Sequence, residues 1–232
     1  MAIEFKKAGR GKLKLRLALA GPSGSGKTYT SLALAAGLGG KTAVIDTERC
    51  SAAKYAEYFD FDVAEMDAPF HPDRLTEAVA DVAKAGYDNC LIDSLSHFWA
   101  GPGGLLELVD KFAAQMKTRN TFVAWKRAGP IQNKMVESIL QAPMNMLWCM
   151  RSKQEYAVEK DQKSGKATVS KLGLAPVQRD GIEYEADIFA EMDMDHNFIV
   201  AKTRMFDLTD AVINKPNKEL GVQIGKWLNK SK

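Results

Sequence analysis

Residues 21–28 combine three glycines, a lysine and a threonine in the order Gly-Pro-Ser-Gly-Ser-Gly-Lys-Thr. The glycines allow the backbone to adopt positive φ and to turn its N–H groups toward an anion. Lys27 adds a positive charge for the β and γ phosphates, and the Thr28 hydroxyl suits Mg²⁺. The segment therefore predicts a loop that binds a nucleoside triphosphate with Mg²⁺. The predicted contacts are Gly21, Pro22, Ser23, Gly24, Ser25, Gly26, Lys27 and Thr28.

A carboxylate that could share the Mg²⁺ with Thr28 is Asp93, which closes the apolar run Cys-Leu-Ile-Asp at residues 90–93. In an α/β sheet, ligands bind at the carboxyl ends of the strands, and a strand-ending aspartate there can hold Mg²⁺ through water. The alternative is that Asp93 caps a helix or forms a turn. We predict that Thr28 and Asp93 are the metal-binding residues.

The general base that would orient an attacking water must come from another strand, because Ser94 follows Asp93. Glu48 ends the run Val-Ile-Asp-Thr-Glu after the next predicted strand. Parallel strands end at one edge of a sheet, so Glu48 is expected beside Lys27 and Asp93. The alternative is a surface carboxylate paired with Arg49.

The elements that must position these residues alternate between strand and helix over the first 120 residues, as in a parallel sheet covered on both faces. Strands are predicted at 13–20, 41–48, 62–66, 89–93 and 146–150, and helices at 27–37, 72–85, 105–116 and 131–140. Short β-like runs between 151 and 203 predict hairpins appended to the sheet, and 221–230 predict a short amphipathic segment. The predicted fold class is α/β, with a mainly parallel central sheet.

The composition is that of a globular protein, with 46% hydrophobic and 26% charged residues in 232. A net charge of +3 neither requires nor excludes a nucleic-acid partner. Cys50, Cys90 and Cys149 lack metal-ligand spacing and are expected to be small buried residues in a reducing compartment. The sequence has no targeting signal and no apolar run of about 18 residues, so a cytoplasmic protein without membrane association is expected.

The ordered motifs resemble those of a known family. The loop at 21–28, Ile-Asp-Thr-Glu at 45–48, Ile-Asp-Ser-Leu-Ser-His-Phe-Trp at 92–99, Met-Arg-Ser-Lys-Gln-Glu-Tyr at 150–156 and Lys-Thr-Arg at 202–204 stand in that order. Together they resemble the RecA-type recombinase core, and most closely the small phage-encoded RecA-like single-strand annealing proteins (the Sak-four group). The resemblance covers residues 12–206.

This resemblance implies a RecA-like P-loop ATPase domain at 13–232 that hydrolyses ATP with Mg²⁺ in the cytoplasm of a host cell. Glu48 would be the catalytic glutamate. Lys202 and Arg204 would reach the γ-phosphate of an adjacent subunit in a homo-oligomer, either a ring or a filament. The arm at 1–12 contains a Phe-x-x-Ala pattern at 5–8 that matches an assembly contact of RecA relatives; the alternative is a first strand that caps its own sheet.

The resemblance also implies single-stranded DNA as a partner, with a single-stranded DNA-binding protein as a further one. Two loops would face the DNA, the first around 97–104 and the second after Arg151. The expected DNA-binding residues are Phe98, Trp99, Arg151, Lys153, Lys163 and Lys166. The alternatives are that Phe98 and Trp99 pack under the next helix and that the second loop is a solvated hairpin.

One departure concerns the residue that senses the γ-phosphate. Larger recombinases carry a glutamine after the last core strand, where this chain has Arg151, with Gln154 three residues later. Either residue could serve, and annealing is expected rather than full strand exchange. The alternative function is a nucleotide-dependent assembly or switch ATPase that acts on a protein partner.

Overall fold

The computed structural model describes residues 13–116, 119–160 and 167–229, with the backbone alone at 154–160 and 167–174. The arm at 1–12 with its Phe-x-x-Ala pattern, and two of the expected DNA-binding residues, Lys163 and Lys166, lie outside the described residues. The side chain of Gln154 does so as well.

Strands and helices alternate through the first two thirds of the described chain. The strands are β1 (Arg16–Gly21), β2 (Thr42–Asp46), β3 (Asp62–Glu65), β4 (Asn89–Asp93), β5 (Asn145–Lys160), β6 (Ala167–Pro176), β7 (Ile188–Met192), β8 (Asn197–Thr203) and β9 (Val212–Asn214). The α-helices are α1 (Lys27–Leu38), α2 (Pro72–Lys84), α3 (Ser96–Ala100), α4 (Leu105–Ala114), α5 (Thr121–Leu140) and α6 (Lys218–Leu228). None of the described helices is long and apolar enough to cross a membrane.

The strands form one sheet in the order β3-β2-β4-β5-β1-β7-β8-β9, with β6 paired to β5. From β3 through β7 every pairing in that order is parallel, whereas β8, β9 and β6 pair antiparallel to their neighbours. The mainly parallel α/β sheet predicted from the sequence is confirmed. The hairpins predicted after residue 151 are also present, as β5–β6 and β7–β8.

Helices cover both faces of the sheet because side chains on a strand alternate between them. On β1, Leu17 and Leu19 pack with α1 and α6, while Ala18 and Ala20 pack with α2 and α5. A third apolar cluster joins α4 to the first half of α5. Each face of the sheet therefore carries its own core, and both fix the strands whose ends form the site.

The register of the sheet brings four strand ends to one edge. Asp46 pairs with Asp93 across β2 and β4, Asp93 pairs with Cys149 across β4 and β5, and Gly21 pairs with Arg151 across β1 and β5. The loops that follow β1, β2 and β4, and the continuation of β5, therefore leave the sheet side by side. This edge is where ligands bind in open α/β sheets.

Helix α5 begins ten residues before the predicted start at 131. The side chain of Asn120 accepts hydrogen bonds from the N–H groups of Phe122 and Val123 and caps the helix. Buried Ala124 and Ala128 then hold the first half against α4. Gly129-Pro130 predicts a helix boundary. The helix nevertheless continues through these two residues, because packing outweighs local helix propensity.

Two further sequence predictions need correction. The sequence predicts a loop around 97–104, but residues 97–100 belong to the short helix α3. Cys90 and Cys149 are buried as expected, whereas Cys50 is exposed in the turn after β2, where its φ is 59°.

Candidate active site

The loop between β1 and α1 has the backbone geometry that its glycines suggest. Gly24 and Gly26 have φ of 84° and 90°, which side-chain-bearing residues rarely adopt. Gly21 is needed for a different reason from the one predicted: a Cβ there would lie 2.4 Å from the Met192 carbonyl oxygen. No described residue accepts a hydrogen bond from the N–H of Gly24 or Gly26. These two N–H groups are thus unpaired donors at the start of a helix, which fits a phosphate group.

A cleft of about 1020 Å³ lies over this loop. Its walls come from the loop, from the segment after β2, from Asp93 at the end of β4, from Arg151 and Ser152 within β5, and from the turns around His196 and residues 215–217. Seven of the residues predicted for nucleotide, metal or catalysis line it: Ser23, Gly24, Gly26, Lys27, Thr28, Glu48 and Asp93. The structure therefore brings together residues that lie up to 70 positions apart in the chain.

Lys27 is folded back onto its own loop. Its Nζ donates hydrogen bonds to the carbonyl oxygens of Gly21 at 2.9 Å and Pro22 at 2.7 Å. Burial lowers the pKa of Lys27, an effect that the nearby carboxylates of Asp93 and Glu48 oppose. A partly buried ammonium group held only by neutral carbonyls favours an anionic partner.

The Mg²⁺ residues predicted from the sequence are in contact. The Thr28 hydroxyl donates to Asp93 Oδ2 at 2.6 Å, and Asp93 is 3% exposed. A hydroxyl and one carboxylate at the phosphate loop suit Mg²⁺, which keeps several waters and phosphate oxygens as ligands. Within the described chain no group of three or more His, Cys, Asp or Glu could hold a metal. The donor set thus fits a nucleotide-bound Mg²⁺.

Burial raises the pKa of Asp93 to about 6, against a hydrogen bond from Thr28 that acts in the opposite direction. The pKa in the unfolded chain is lower, at about 3.9. Protonated Asp93 therefore stabilises the fold below about pH 4, and this contribution is lost as the pH rises through about 6. The ionised carboxylate costs the metal-free protein roughly 3 kcal/mol.

We therefore expect Asp93→Asn to stabilise the metal-free protein at pH 8 and to have little effect at pH 4, because the amide carries no charge to bury. Denaturant unfolding in the presence of a chelator at both pH values measures the difference. The exposed Asp81 provides the control, Asp81→Asn. A difference between Asp93→Asn and the wild type that does not change with pH would contradict the assignment of a buried, costly charge.

Glu48 lies in the cleft and is held by Arg151. The guanidinium donates to Glu48 Oε1 at 2.9 Å through Nε and to Oε2 at 2.5 Å through its terminal nitrogen. Burial works to raise the pKa of the Glu48 carboxyl, but the hydrogen bonds and charge of Arg151 outweigh it and hold the pKa below its ordinary value. Among the described residues the ion-pair partner is Arg151 and not Arg49, so the predicted alternative for Glu48 is wrong.

A second polar residue near Glu48 is His97, whose Nε2 lies 4.0 Å from Glu48 Oε1. Its Nδ1 is 2.7 Å from the Thr47 hydroxyl, which also accepts the Ser94 N–H at 2.7 Å. Burial and the charge of Arg151 lower the pKa of His97. Sequence reasoning missed Thr47 and this role of His97, although a threonine between Asp46 and Glu48 at a strand end was a usable signal.

The expected DNA-binding residues do not form one surface. Phe98 is fully buried and packs edge-on against Phe70 at 6.0 Å, so its predicted stacking on bases is wrong. Trp99 is partly buried, with its ring 5.8 Å from that of Trp125. Arg151 faces Glu48 in the cleft, and Lys153 is exposed two residues further along β5.

Lys202 and Arg204 lie at the edge of the sheet opposite their own phosphate loop, beside the start of β7. Lys202 Nζ donates to the carbonyl oxygens of Tyr184, at 3.1 Å, and Ala186. Arg204 is exposed and forms an ion pair with Asp187 at 3.0 Å. Neither reaches the cleft of its own chain.

P-loop NTPases have a phosphate-binding loop between a strand and a helix, together with a carboxylate on a nearby parallel strand. The loop between β1 and α1, with Asp93 at the end of β4, has this arrangement, so the chain has the fold of a P-loop NTPase. A family model described as AAA domain (AAA_24) matches residues 13–215. The chain therefore belongs to this AAA-domain family, and membership supports nucleotide hydrolysis, typically of ATP with Mg²⁺. The search of curated proteins finds no match.

Proposed function

We propose that this AAA-domain protein is an ATP-dependent single-stranded DNA-binding protein that supports phage recombination by annealing, like the Sak-four proteins that its motifs resemble. Lys27 and the loop N–H groups hold the phosphates, and Thr28 and Asp93 hold Mg²⁺, which when bound neutralises phosphate charge. Glu48 orients the attacking water and accepts its proton.

The observation that carries this proposal is the position of Glu48. It is the carboxylate that lines the cleft from a second strand, while Ser94 occupies the position next to the Mg²⁺ residue Asp93. This separation is the arrangement of the RecA-type core. It leaves Glu48 within reach of Arg151, a residue of the strand that continues into the β5–β6 hairpin.

The hairpin gives DNA a physical route to the catalytic base. Arg151 is the residue of β5 that pairs with Gly21, and Ser152 onward pairs with β6. A polyanion on the exposed Lys153 competes for the same guanidinium that holds Glu48. Release of Glu48 would then follow DNA binding, which supports hydrolysis stimulated by DNA.

The test is the rate of ATP hydrolysis by the full chain, alone, with single-stranded DNA and with duplex of the same length. We expect single-stranded DNA to raise the rate and duplex to raise it much less. Binding of the single strand should need ATP or a non-hydrolysable analogue and weaken steeply with salt. Equal rates with and without DNA would overturn the proposal and favour a protein partner for the same ATPase.

The proposal includes a homo-oligomer in which Lys202 and Arg204 stabilise charge on the γ-phosphate of a neighbouring subunit. Their location on the edge opposite their own cleft is compatible with action between subunits. Lys202 would have to leave the carbonyls of Tyr184 and Ala186, whereas the exposed Arg204 would have to leave its ion pair with the half-buried Asp187. A single-stranded DNA-binding protein is the further partner that annealing would require.

Action between subunits predicts recovery of activity in mixtures. Arg204→Ala chains keep an intact cleft, and Lys27→Ala chains keep the arginine, so each is expected to be inactive alone. Mixing them should restore part of the hydrolysis, because one type of subunit then supplies Arg204 to the cleft of the other. Mixtures that co-assemble by size measurement without recovery would assign Arg204 to a structural role in its own chain.

A further inference from the structure

The first half of α5 carries large aromatic side chains on its outer surface. Phe122 is 70% exposed and Trp125 is 37% exposed, three residues apart on one face of the helix. A Cβ at Gly129, one turn beyond Trp125, would contact nothing within 4 Å, so the surface beside Trp125 is open. The helix is held to α4 by Ala124 and Ala128 instead. The exposed rings are therefore not needed for the core.

Cations are interleaved with these rings. Residues 117–134 contain five Lys or Arg and no carboxylate. Lys126 Nζ lies 5.3 Å from the centre of the Phe122 ring, and the Arg127 guanidinium lies 4.2 Å from that of Phe112. In the described part of the chain no carboxylate forms an ion pair with Lys126 or Arg127. Arg127 lies on the side of α5 next to α4, so Lys126 is the cation beside the exposed rings, and its charge is available to an anion.

The same surface is connected to the cleft through α3. The Trp125 ring lies 5.8 Å from that of Trp99, with 32° between the planes. Three residues before Trp99, the Ser96 hydroxyl accepts the N–H of Arg151 at 2.9 Å. His97, between them, contacts Thr47 and lies beside Glu48. A ligand that binds Trp99 and Trp125 therefore contacts α3, the helix whose Ser96 and His97 lie next to Arg151 and Glu48.

We propose that Phe122, Trp125 and Lys126, with Trp99 beside them, form a binding face for single-stranded DNA, here called the α5 face. Unpaired bases stack on the rings, and a backbone phosphate pairs with Lys126. Duplex DNA hides its bases, and an acidic protein would use the cation but leave the flat rings unmatched. This assignment rests on the proposed function and gives it a site that the buried Phe98 cannot provide.

The experiment measures binding of a labelled oligothymidylate to the full chain with a non-hydrolysable ATP analogue, over a series of salt concentrations. Phe122→Ala/Trp125→Ala should weaken binding roughly five- to a hundredfold per ring, with an unchanged salt slope. Lys126→Ala should flatten the slope of log K against log salt by about 0.7, since each phosphate contact contributes about 0.7. Trp125→Tyr, which keeps a flat ring, should bind nearly as the wild type does.

Matched controls lie on α6, on the opposite face of the sheet. Val222 is 37% exposed, like Trp125, and Lys226 is exposed, so Val222→Ala and Lys226→Ala should leave both affinity and slope unchanged. Melting temperatures confirm that each variant is folded. Because the substituted side chains are exposed, we expect shifts of a few degrees at most.

The outcomes separate this inference from the proposed function. A wild-type chain that binds no oligothymidylate refutes the proposed function and the α5 face with it. A wild type that binds, together with α5 variants that bind equally well, overturns the α5 face alone and leaves the hairpin as the site. Variants with unchanged DNA affinity but smaller particles would make the α5 face a contact between copies of the chain, which also overturns the inference.

Discussion

Lys27→Ala is expected to lose tight nucleotide binding. In the cleft Lys27 is the fixed cation of the phosphate loop, and its Nζ now bonds only to the carbonyls of Gly21 and Pro22. Removal of one member of a buried, hydrogen-bonded charge pair costs roughly 2–5 kcal/mol. That cost corresponds to an affinity roughly 30- to 5000-fold lower. Calorimetric titration of ATP with Mg²⁺ into the purified variant measures it.

The control for this substitution is Lys41→Ala, because Lys41 is exposed at the start of β2, on the edge of the sheet away from the cleft. Lys27→Ala should remain folded, since burial lowers the pKa of Lys27 and its charge is a cost to the empty protein. ATP affinity within a few-fold of the wild type would show that the loop N–H groups suffice and that the lysine has another role.

The second large effect is expected on turnover. Glu48→Gln should retain ATP affinity and reduce the hydrolysis rate by roughly a hundredfold or more, the usual contribution of a positioned base. Glutamine keeps the shape of the side chain and one oxygen that can accept from Arg151, but it cannot accept a proton from water. Single-turnover measurement of phosphate release, beside an ATP titration, separates the two effects.

Glu57→Gln serves as the matched control, because Glu57 is exposed in the segment after β2 and does not line the cleft. The assignment of Glu48 as the base is wrong if Glu48→Gln hydrolyses ATP at the wild-type rate. Loss of ATP affinity in parallel with turnover would instead indicate that the Glu48–Arg151 pair holds the cleft in shape.

The phosphate loop and Asp93 could be predicted from the sequence because each is specified by a short run of consecutive residues. Eight consecutive residues specify the loop, and Asp93 ends an apolar run whose position in a parallel sheet follows from the alternation of elements. The fold class could be predicted for the same reason. A mainly parallel sheet then forces the loops after β1, β2 and β4 to one edge, so the position of Glu48 in the cleft also follows.

The Glu48–Arg151 pair could not be predicted, because it joins residues 103 positions apart. It depends on β4 standing between β2 and β5, and on a register that no local pattern encodes. The error at Phe98 has a similar origin. The sequence predicts a loop from about residue 97, whereas one short helical turn directs Phe98 inward and leaves Trp99 near the surface. The exposed rings of α5 could not be predicted either. Gly129-Pro130 favours a helix that begins at 131, so the sequence does not place Phe122 and Trp125 on a helix.

The continuity of β5 has a consequence for how this chain tolerates insertions and deletions. Side chains on a strand alternate between its two faces, so a single residue gained between Asn145 and Arg151 would invert the phase of every position after it. Arg151 would then turn away from Glu48 although the phosphate loop remained intact. Beyond Ser152 the strand pairs only with β6, and paired residues gained or lost there change the length of the hairpin without altering that phase. The length of the hairpin can therefore vary, whereas the length of the segment from Asn145 to Arg151 is fixed.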